Sequence, residues 1–180
     1  MIRSLFACAL ALVLCGPALA ERLAIIVSEE DYRRLPDVPS RAALADTRRA
    51  LSERGFQVVS FRLRDGDELA GRLEGLATRA ARSEALIMIL SGQLAGSPTD
   101  TWLLSRDARD QLDSLSAARQ GVSLNALLQV AGERPGASVV LIGTGAEPFE
   151  TGYGLTHGLG RVVLPQGVAL AEGDVDDLLS

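Results

Sequence analysis

The stretch that most restricts the fold is residues 138–149, SVVLIGTGAEPF. Four apolar residues, 139–142, are followed at once by the glycine-bounded tripeptide 143–145. A short, unbroken apolar run predicts a strand that is buried on both faces, as in a parallel sheet. In open α/β folds, ligands bind in the loops that follow such strands. The loop that begins at Gly143 is therefore the first place to look for a site.

Other apolar runs in the chain alternate with patterns that are typical of helices. Strands are predicted at 22–27 (RLAIIV), 56–61 (FQVVSF) and 85–90 (ALIMIL), with a fifth near a sheet edge at 167–171 (GVALA). Helices are predicted at about 41–54 with Ser40 as the cap, at about 69–82, and at 124–131 with Ser123 as the cap. This alternation predicts an α/β fold, a three-layer α/β/α sandwich with a mainly parallel sheet. Residues 95–100 and 150–160 are expected to be mobile loops.

Residues 1–20 have the features of a secretory signal peptide. Arg3 gives the positive start, residues 5–15 form a short apolar core, and 18–20 (ALA) is the small-residue pattern that precedes cleavage. The core is shorter than the roughly 20 residues that a membrane-spanning helix needs. Bulky Leu14 before Cys15 disfavours a lipoprotein. We expect residues 21–180 to be a single domain that is periplasmic or secreted and leaves the membrane after cleavage.

Cleavage restricts the chemistry of the remaining domain. Both cysteines, Cys8 and Cys15, lie in the leader, and His157 is the single histidine. The net charge is −5 and no basic run is present, so we expect no nucleic-acid binding. His157 with Glu147 and Glu150 lacks any recognised metal-ligand spacing. No metal and no cofactor are expected.

Five segments, in order, resemble the peptidase domain of caspases and metacaspases. The first segment consists of RLAIIV, Tyr32, a helix and Gly55-Phe56. It is similar to the family's order of a strand, N-x-x-Y, a helix and L-G-F-x-V. ALIMILSGQL (85–94) is similar to the strand that ends in S-G-H-G, and WLLSRDA (102–108) to Y-L-L-P-x-D-A. LIGTGAEPF (141–149) is similar to L-D-A-C-R-N-N-P-F, and GLGRVVLPQG (158–167) to G-L-x-x-x-x-x-P-x-G. The resemblance implies a caspase-like sheet with its active site at the carboxyl ends of the strands.

The chain departs from the family at its functional positions. Gln93 stands where the family carries the catalytic histidine, and Thr144 stands where it carries the nucleophilic cysteine. Ile142 replaces an aspartate that is implied to shape a pocket for basic residues, and Leu94 replaces a glycine of the oxyanion site. With Gly92 and Gly143, these two residues mark the ancestral pocket. The resemblance places position 142 at a solvent-facing pocket, which predicts a mild effect of Ile142→Asp and a severe effect of Val140→Asp.

Cysteine peptidases need a thiolate and a nearby base. Gln93 and Thr144 supply neither, so we predict a non-catalytic binding or regulatory pseudoenzyme. Its expected partner is a peptide or protein in the old active-site groove. Two alternatives remain open, a hydrolase with a rebuilt Thr144–His157 centre that Glu147 or Glu150 orients, and a purely structural α/β module.

Overall fold

A computed structural model describes residues 21–64, 69–145 and 147–179 of the chain. The predicted leader, with Cys8 and Cys15, lies outside the described residues. In chain order the elements are β1 (Arg22–Ser28), α1 (Arg41–Glu53), β2 (Phe56–Arg62), α2 (Leu73–Arg82), β3 (Ala85–Ser91), β4 (Leu94–Gly96), β5 (Thr101–Leu104), α3 (Ser114–Gln120), β6 (Gly121–Ser123), α4 (Leu124–Gly132), β7 (Ser138–Thr144), β8 (Thr156–His157), β9 (Val168–Asp174) and α5 (Val175–Leu179).

The five predicted strands form one parallel sheet in the order β2-β1-β3-β7-β9. Ser28 of β1 lies opposite Ser91 of β3, and Ser91 lies opposite Gly143 of β7. The three central strands therefore end level with one another. The loops that leave them meet at this edge, where a parallel sheet places its ligands.

Apolar residues on the two faces of the sheet pack against separate helix layers. The first face contributes Leu23, Met88, Val140 and their neighbours, which join buried residues of α2 and α4 in the main core. The second face contributes Ala24, Ile26 and Ile89, which join Leu44 and Leu51 of α1, with Leu179 of α5 at the margin. The three-layer α/β/α arrangement predicted from the sequence is confirmed.

The central strand β7 is not buried on both faces along its whole length. Val140 and Ile142 are fully buried in the main core, but Val139 is 40% exposed and Leu141 is partly exposed on the second face. The prediction that this strand is buried on both faces is wrong for Val139, because α1 and the short α5 leave this part of the second face uncovered.

Serine residues precede two of the predicted helices, and their hydroxyls behave differently. Ser123 caps α4, since its hydroxyl accepts a hydrogen bond from the Ala126 N–H at 3.1 Å. Ser40 precedes α1 but does not cap it; its hydroxyl accepts a hydrogen bond from Ser91 at 2.9 Å, and both residues are buried. The expected Ser40 cap is therefore wrong, and this hydroxyl instead joins the start of α1 to the end of β3.

A second, antiparallel sheet lies beyond the carboxyl end of β3, in the order β6-β5-β4-β8. Residues 95–100 and 150–160, which the sequence predicts as mobile loops, contribute β4 and β8 to it. Ala95 pairs with His157, and Gly96 pairs with Thr156. A satellite core lies under this sheet and comprises Leu35, Ala95, Leu104, Ala108, Leu112, Ala117 and Leu155. The loop prediction is therefore wrong for these strands, whose pairing brings His157 to the carboxyl edge of the main sheet.

Candidate functional site

The candidate site lies where β3 and β7 end side by side. Gly92, directly after β3, donates its N–H to the Gly143 carbonyl of β7 at 3.1 Å. A Cβ atom at Gly92 would lie 2.7 Å from the Tyr32 hydroxyl oxygen, so only glycine fits there without a shift. This close approach draws the loop after β1, which carries Tyr32, against the end of β3.

Gln93 is completely buried and all of its polar groups are engaged. Its side-chain Nε2 donates to the Pro36 carbonyl at 3.0 Å, and its Oε1 lies 3.3 Å from His157 Nε2. Its backbone carbonyl accepts from the Leu104 N–H at 2.9 Å, and its backbone N–H donates to the Tyr32 hydroxyl at 2.8 Å. Gln93 is therefore a fixed structural amide.

Tyr32 completes this network from the loop after β1. Its hydroxyl accepts from the Gln93 N–H and donates to the Leu104 carbonyl at 3.1 Å. Burial raises the pKa of the phenol, since the phenolate would be desolvated, and the hydrogen bond from Gln93 opposes this only in part. Tyr32 is therefore a neutral bridge between Gln93, in the turn from β3 to β4, and the end of β5.

Thr144 ends β7 and is half-buried. Gly145 follows it and packs against the loop after β1 and the Gln93 amide. A Cβ atom at Gly145 would lie 3.1 Å from Val38 Cγ2 and 3.4 Å from Gln93 Nε2. Gln93 and the end of β7, which carries Thr144, are therefore brought together at one edge of the sheet.

His157 closes the site from β8. Because Gln93 Nε2 donates to Pro36, Gln93 Oε1 is the acceptor, and His157 Nε2 carries the proton between them. The Phe149 ring meets the imidazole edge-on, with ring centroids 5.0 Å apart at an interplanar angle of 88°. Burial lowers the pKa of His157, which favours the neutral imidazole that this arrangement uses.

The geometry gives no support to the rebuilt hydrolase centre. His157 Nε2 is engaged with Gln93, and among the described residues no hydrogen bond joins His157 to the Thr144 hydroxyl. The Glu150 carboxylate accepts from Gln111 Nε2 at 3.5 Å, and Glu147 is exposed. Neither glutamate orients the imidazole. Among the described residues, Thr144 therefore has no base at hydrogen-bonding distance.

The four residues that the resemblance assigns to a pocket are part of the core. Ile142 and Leu94 are fully buried in the main apolar cluster, and Gly92 and Gly143 are buried beside them. The expectation that position 142 faces solvent is wrong, because Ile142 shares the inner face of β7 with Val140. Ile142 therefore extends the core toward the end of the strand.

Two cavities open near the site on the surface of the described residues. One of about 440 Å³ is bordered by the β4–β8 pair and has no charged residue in its lining, which comprises Gly96, Ser97, Pro98, Gly154, Leu155 and Thr156. The other, of about 320 Å³, lies beside Val38 and is lined by Glu30, Asp31, Asp37, Pro39, Arg41 and Ala42 as well. The first cavity is continuous with the strands that carry Leu94 and His157.

The charges beside the second cavity are already paired. Glu30 Oε2 accepts from Arg41 at 3.0 Å and from Arg62 at 3.2 Å, and both arginines also bind Asp31. The hydrogen bond from Arg62 is the largest of the effects that hold the pKa of Asp31 below its usual range. These carboxylates therefore have their countercharges within the protein and present little free charge to a ligand.

Sequence reasoning identified Gln93, Thr144 and His157 but missed the groups that hold them. Phe149 was noted only as part of the P-F ending, and the Pro36 carbonyl carries no side-chain signal. Glu29 was also missed; it is buried, and its Oε1 accepts from the N–H groups of the next two residues. In the sequence, Glu29 and Glu30 form an acidic pair directly after a strand, and this pair is the feature that could have indicated Glu29.

The comparisons add no family assignment: neither the known protein-family models nor the curated proteins match this chain. No group of three or more histidine, cysteine, aspartate or glutamate side chains in the described ranges is placed to hold a metal ion. Within the same ranges, every helix is too short or too polar to cross a membrane.

Proposed function

We propose that this chain is a non-catalytic binding protein of caspase-like ancestry, exported to the periplasm or secreted after loss of residues 1–20. The observation that carries the proposal is the buried Gln93 amide. The resemblance aligns this residue with the family's catalytic histidine, and its amide binds the Pro36 carbonyl and His157. An amide cannot take a proton near neutral pH, and Thr144 lacks both a thiol and a base.

The ligand that suits this arrangement is an extended peptide or a protein segment. β8 is an edge strand of the second sheet, and an added strand forms backbone hydrogen bonds along such an edge. The adjacent 440 Å³ cavity accepts an uncharged side chain, since its lining carries no charge. With Ile142 in the core, the acidic pocket implied by the resemblance is absent among the described residues.

The experiment selects peptides from a random displayed library on the purified protein and measures their dissociation constants by fluorescence anisotropy. Thr156→Arg places a long side chain in the cavity, and Thr78→Arg is the matched control on α2. Both threonines are exposed and bind a backbone carbonyl through the hydroxyl. We expect peptides to bind the unchanged protein and the Thr78 variant, and to lose at least tenfold in affinity for Thr156→Arg. Failure to enrich any peptide, or equal binding by both variants, would refute the groove.

Hydrolysis of arginyl, lysyl and aspartyl peptides tests the non-catalytic part of the proposal. We expect no turnover above a buffer blank, and none from Thr144→Cys, because Gln93 still cannot act as the base. Turnover by the unchanged protein that Thr144→Ala abolishes would instead establish the rebuilt hydrolase.

A further inference from the structure

Among the described residues, the two most exposed large apolar side chains lie beside the uncharged cavity. Tyr153 is 93% exposed, and Leu115, in the first turn of α3, is 73% exposed. Gly154 follows Tyr153 and lines the cavity. A Cβ atom at Gly154 would lie 3.9 Å from the Oγ atom of Ser114, the residue before Leu115. The two apolar side chains therefore stand on neighbouring segments next to the cavity, and we name them the Tyr153–Leu115 patch.

The turn that carries Tyr153 is fixed by hydrogen bonds and by close packing. It spans residues 152–155, and its last N–H donates to its first carbonyl at 3.3 Å. Gly154 has a φ of 79°, in the left-handed region that glycine adopts without strain. Gly152 donates its N–H to the Leu112 carbonyl at 2.7 Å, and a Cβ atom at Gly152 would lie 2.8 Å from the same oxygen. Because the backbone under Tyr153 is already ordered, a contact with its ring costs little further conformational entropy.

The carboxylates nearest to these two side chains along the chain are engaged within the fold. Asp113 caps α3, since its carboxylate accepts from the Ser116 N–H at 2.8 Å. The Glu150 carboxylate accepts from Gln111 Nε2 at 3.5 Å. An exposed apolar patch with a polar rim marks a contact with another molecule, and tyrosine is enriched among the residues that dominate such contacts.

We propose that the Tyr153–Leu115 patch is a second apolar subsite for the peptide that binds along β8. The inference rests on the proposed groove and narrows its ligand to a segment with two apolar side chains separated by one residue. In an extended peptide, side chains two positions apart lie on the same face, about 7 Å from each other. Gly154 of the cavity wall is directly bonded to Tyr153, so one such step leads from the cavity to the patch. The first apolar side chain fills the cavity, and the second lies against the Tyr153 ring and Leu115.

The test uses peptides selected on the unchanged protein and measures their dissociation constants by fluorescence anisotropy. Tyr153→Ala should weaken binding about tenfold, and Leu115→Ala should weaken it less. Tyr153→Phe should lose clearly less than Tyr153→Ala, because the ring provides the apolar contact. Val139→Ala is the matched control and should bind as the unchanged protein does, since Val139 is 40% exposed near the amino end of β7, away from the second sheet.

A double-mutant cycle identifies the contact itself. Replacing the second apolar residue of the peptide by alanine should cost about tenfold against the unchanged protein and little against Tyr153→Ala, because the two groups touch. Losses that simply multiply would show that they do not touch, and would overturn the inference.

The outcomes separate this inference from the proposed groove. If no peptide is enriched, both fall. If Thr156→Arg weakens binding and Tyr153→Ala does not, the groove stands and this inference is overturned, as it is if the selected peptides share a single apolar position. Sedimentation velocity tests a second copy as the occupant. A concentration-dependent dimer that Tyr153→Ala disperses would place another copy of this chain on the patch and overturn the peptide subsite.

Discussion

Replacing Ile142 by aspartate distinguishes a core position from the pocket that the resemblance implies. Ile142 is 0% exposed, belongs to the main apolar cluster, and lies opposite Leu90 of β3. Its neighbour on the same strand, Val139, is 40% exposed and points to the opposite face. One strand therefore offers both a buried test position and an exposed control.

Two costs add at Ile142. Loss of a buried isoleucine side chain costs about 2–5 kcal/mol. Burial of a carboxyl group, either protonated or unpaired, adds several kcal/mol. The sum, about 5 kcal/mol or more, rivals the whole free energy of unfolding of a typical domain, about 5–15 kcal/mol. Val139→Asp should cost about 1 kcal/mol or less, and Ile142→Val about 0.5–1.5 kcal/mol.

Urea unfolding of the three variants and the unchanged protein at neutral pH measures these differences. A second series of urea unfolding measurements, at acid pH, distinguishes a buried carboxyl group from a simple cavity, because only the carboxyl group makes the loss of stability depend on pH. Burial would raise the pKa of the aspartate at position 142 above its unfolded value, so its penalty should shrink as the pH falls through that raised pKa. If Ile142→Asp is within about 1 kcal/mol of the unchanged protein, position 142 faces solvent and the burial argument fails.

Three further predictions follow from the site and the leader. Tyr32→Phe should lower the free energy of unfolding by about 1–3 kcal/mol, because the buried Gln93 N–H and Leu104 carbonyl lose their shared partner; urea unfolding measures this, and an unchanged midpoint would contradict it. Burial lowers the pKa of His157, so stability should be complete above about pH 6.5 and decline as the pH falls from there toward the folded pKa. In thermal unfolding, His157→Gln should flatten that part of the profile, and an identical profile would contradict this assignment. N-terminal sequencing of the exported protein should begin at Glu21; a retained Met1 would overturn the predicted localisation.

The main sheet could be predicted because each of its strands is a local apolar run with helical patterns between the runs. RLAIIV and ALIMIL are both long enough to fill a strand, and both form strands. The second sheet could not be predicted in this way. β4 has three residues and β8 has two, and β8 depends for its conformation on a partner strand about 60 residues earlier in the chain. Such short strands carry no periodicity of their own.

The error at Ile142 has a different origin. Strand geometry alone places residues two apart on the same face, so Val140 and Ile142 should share one environment. The resemblance suggested a pocket at position 142 because the family carries a charge there. The alternation of residues along the strand predicted the burial of position 142 better than the resemblance did, because an isoleucine side chain is apolar and does not require contact with solvent.

Under the proposed caspase-like ancestry, the residues at positions 93 and 142 fit one physical change, which bears on where a ligand would bind. An aspartate at position 142 and a histidine at position 93 would each require solvent or a countercharge, and these requirements keep a pocket open. Isoleucine joins the apolar core, while a glutamine amide satisfies its donor and its acceptor within the fold, as Gln93 does through Pro36 and His157. Of the two openings beside the site, the uncharged one is the cavity between β4 and the loop before β8. Recognition there would depend on shape and on backbone hydrogen bonds, so the peptides selected should share an extended backbone and an apolar side chain rather than a charge.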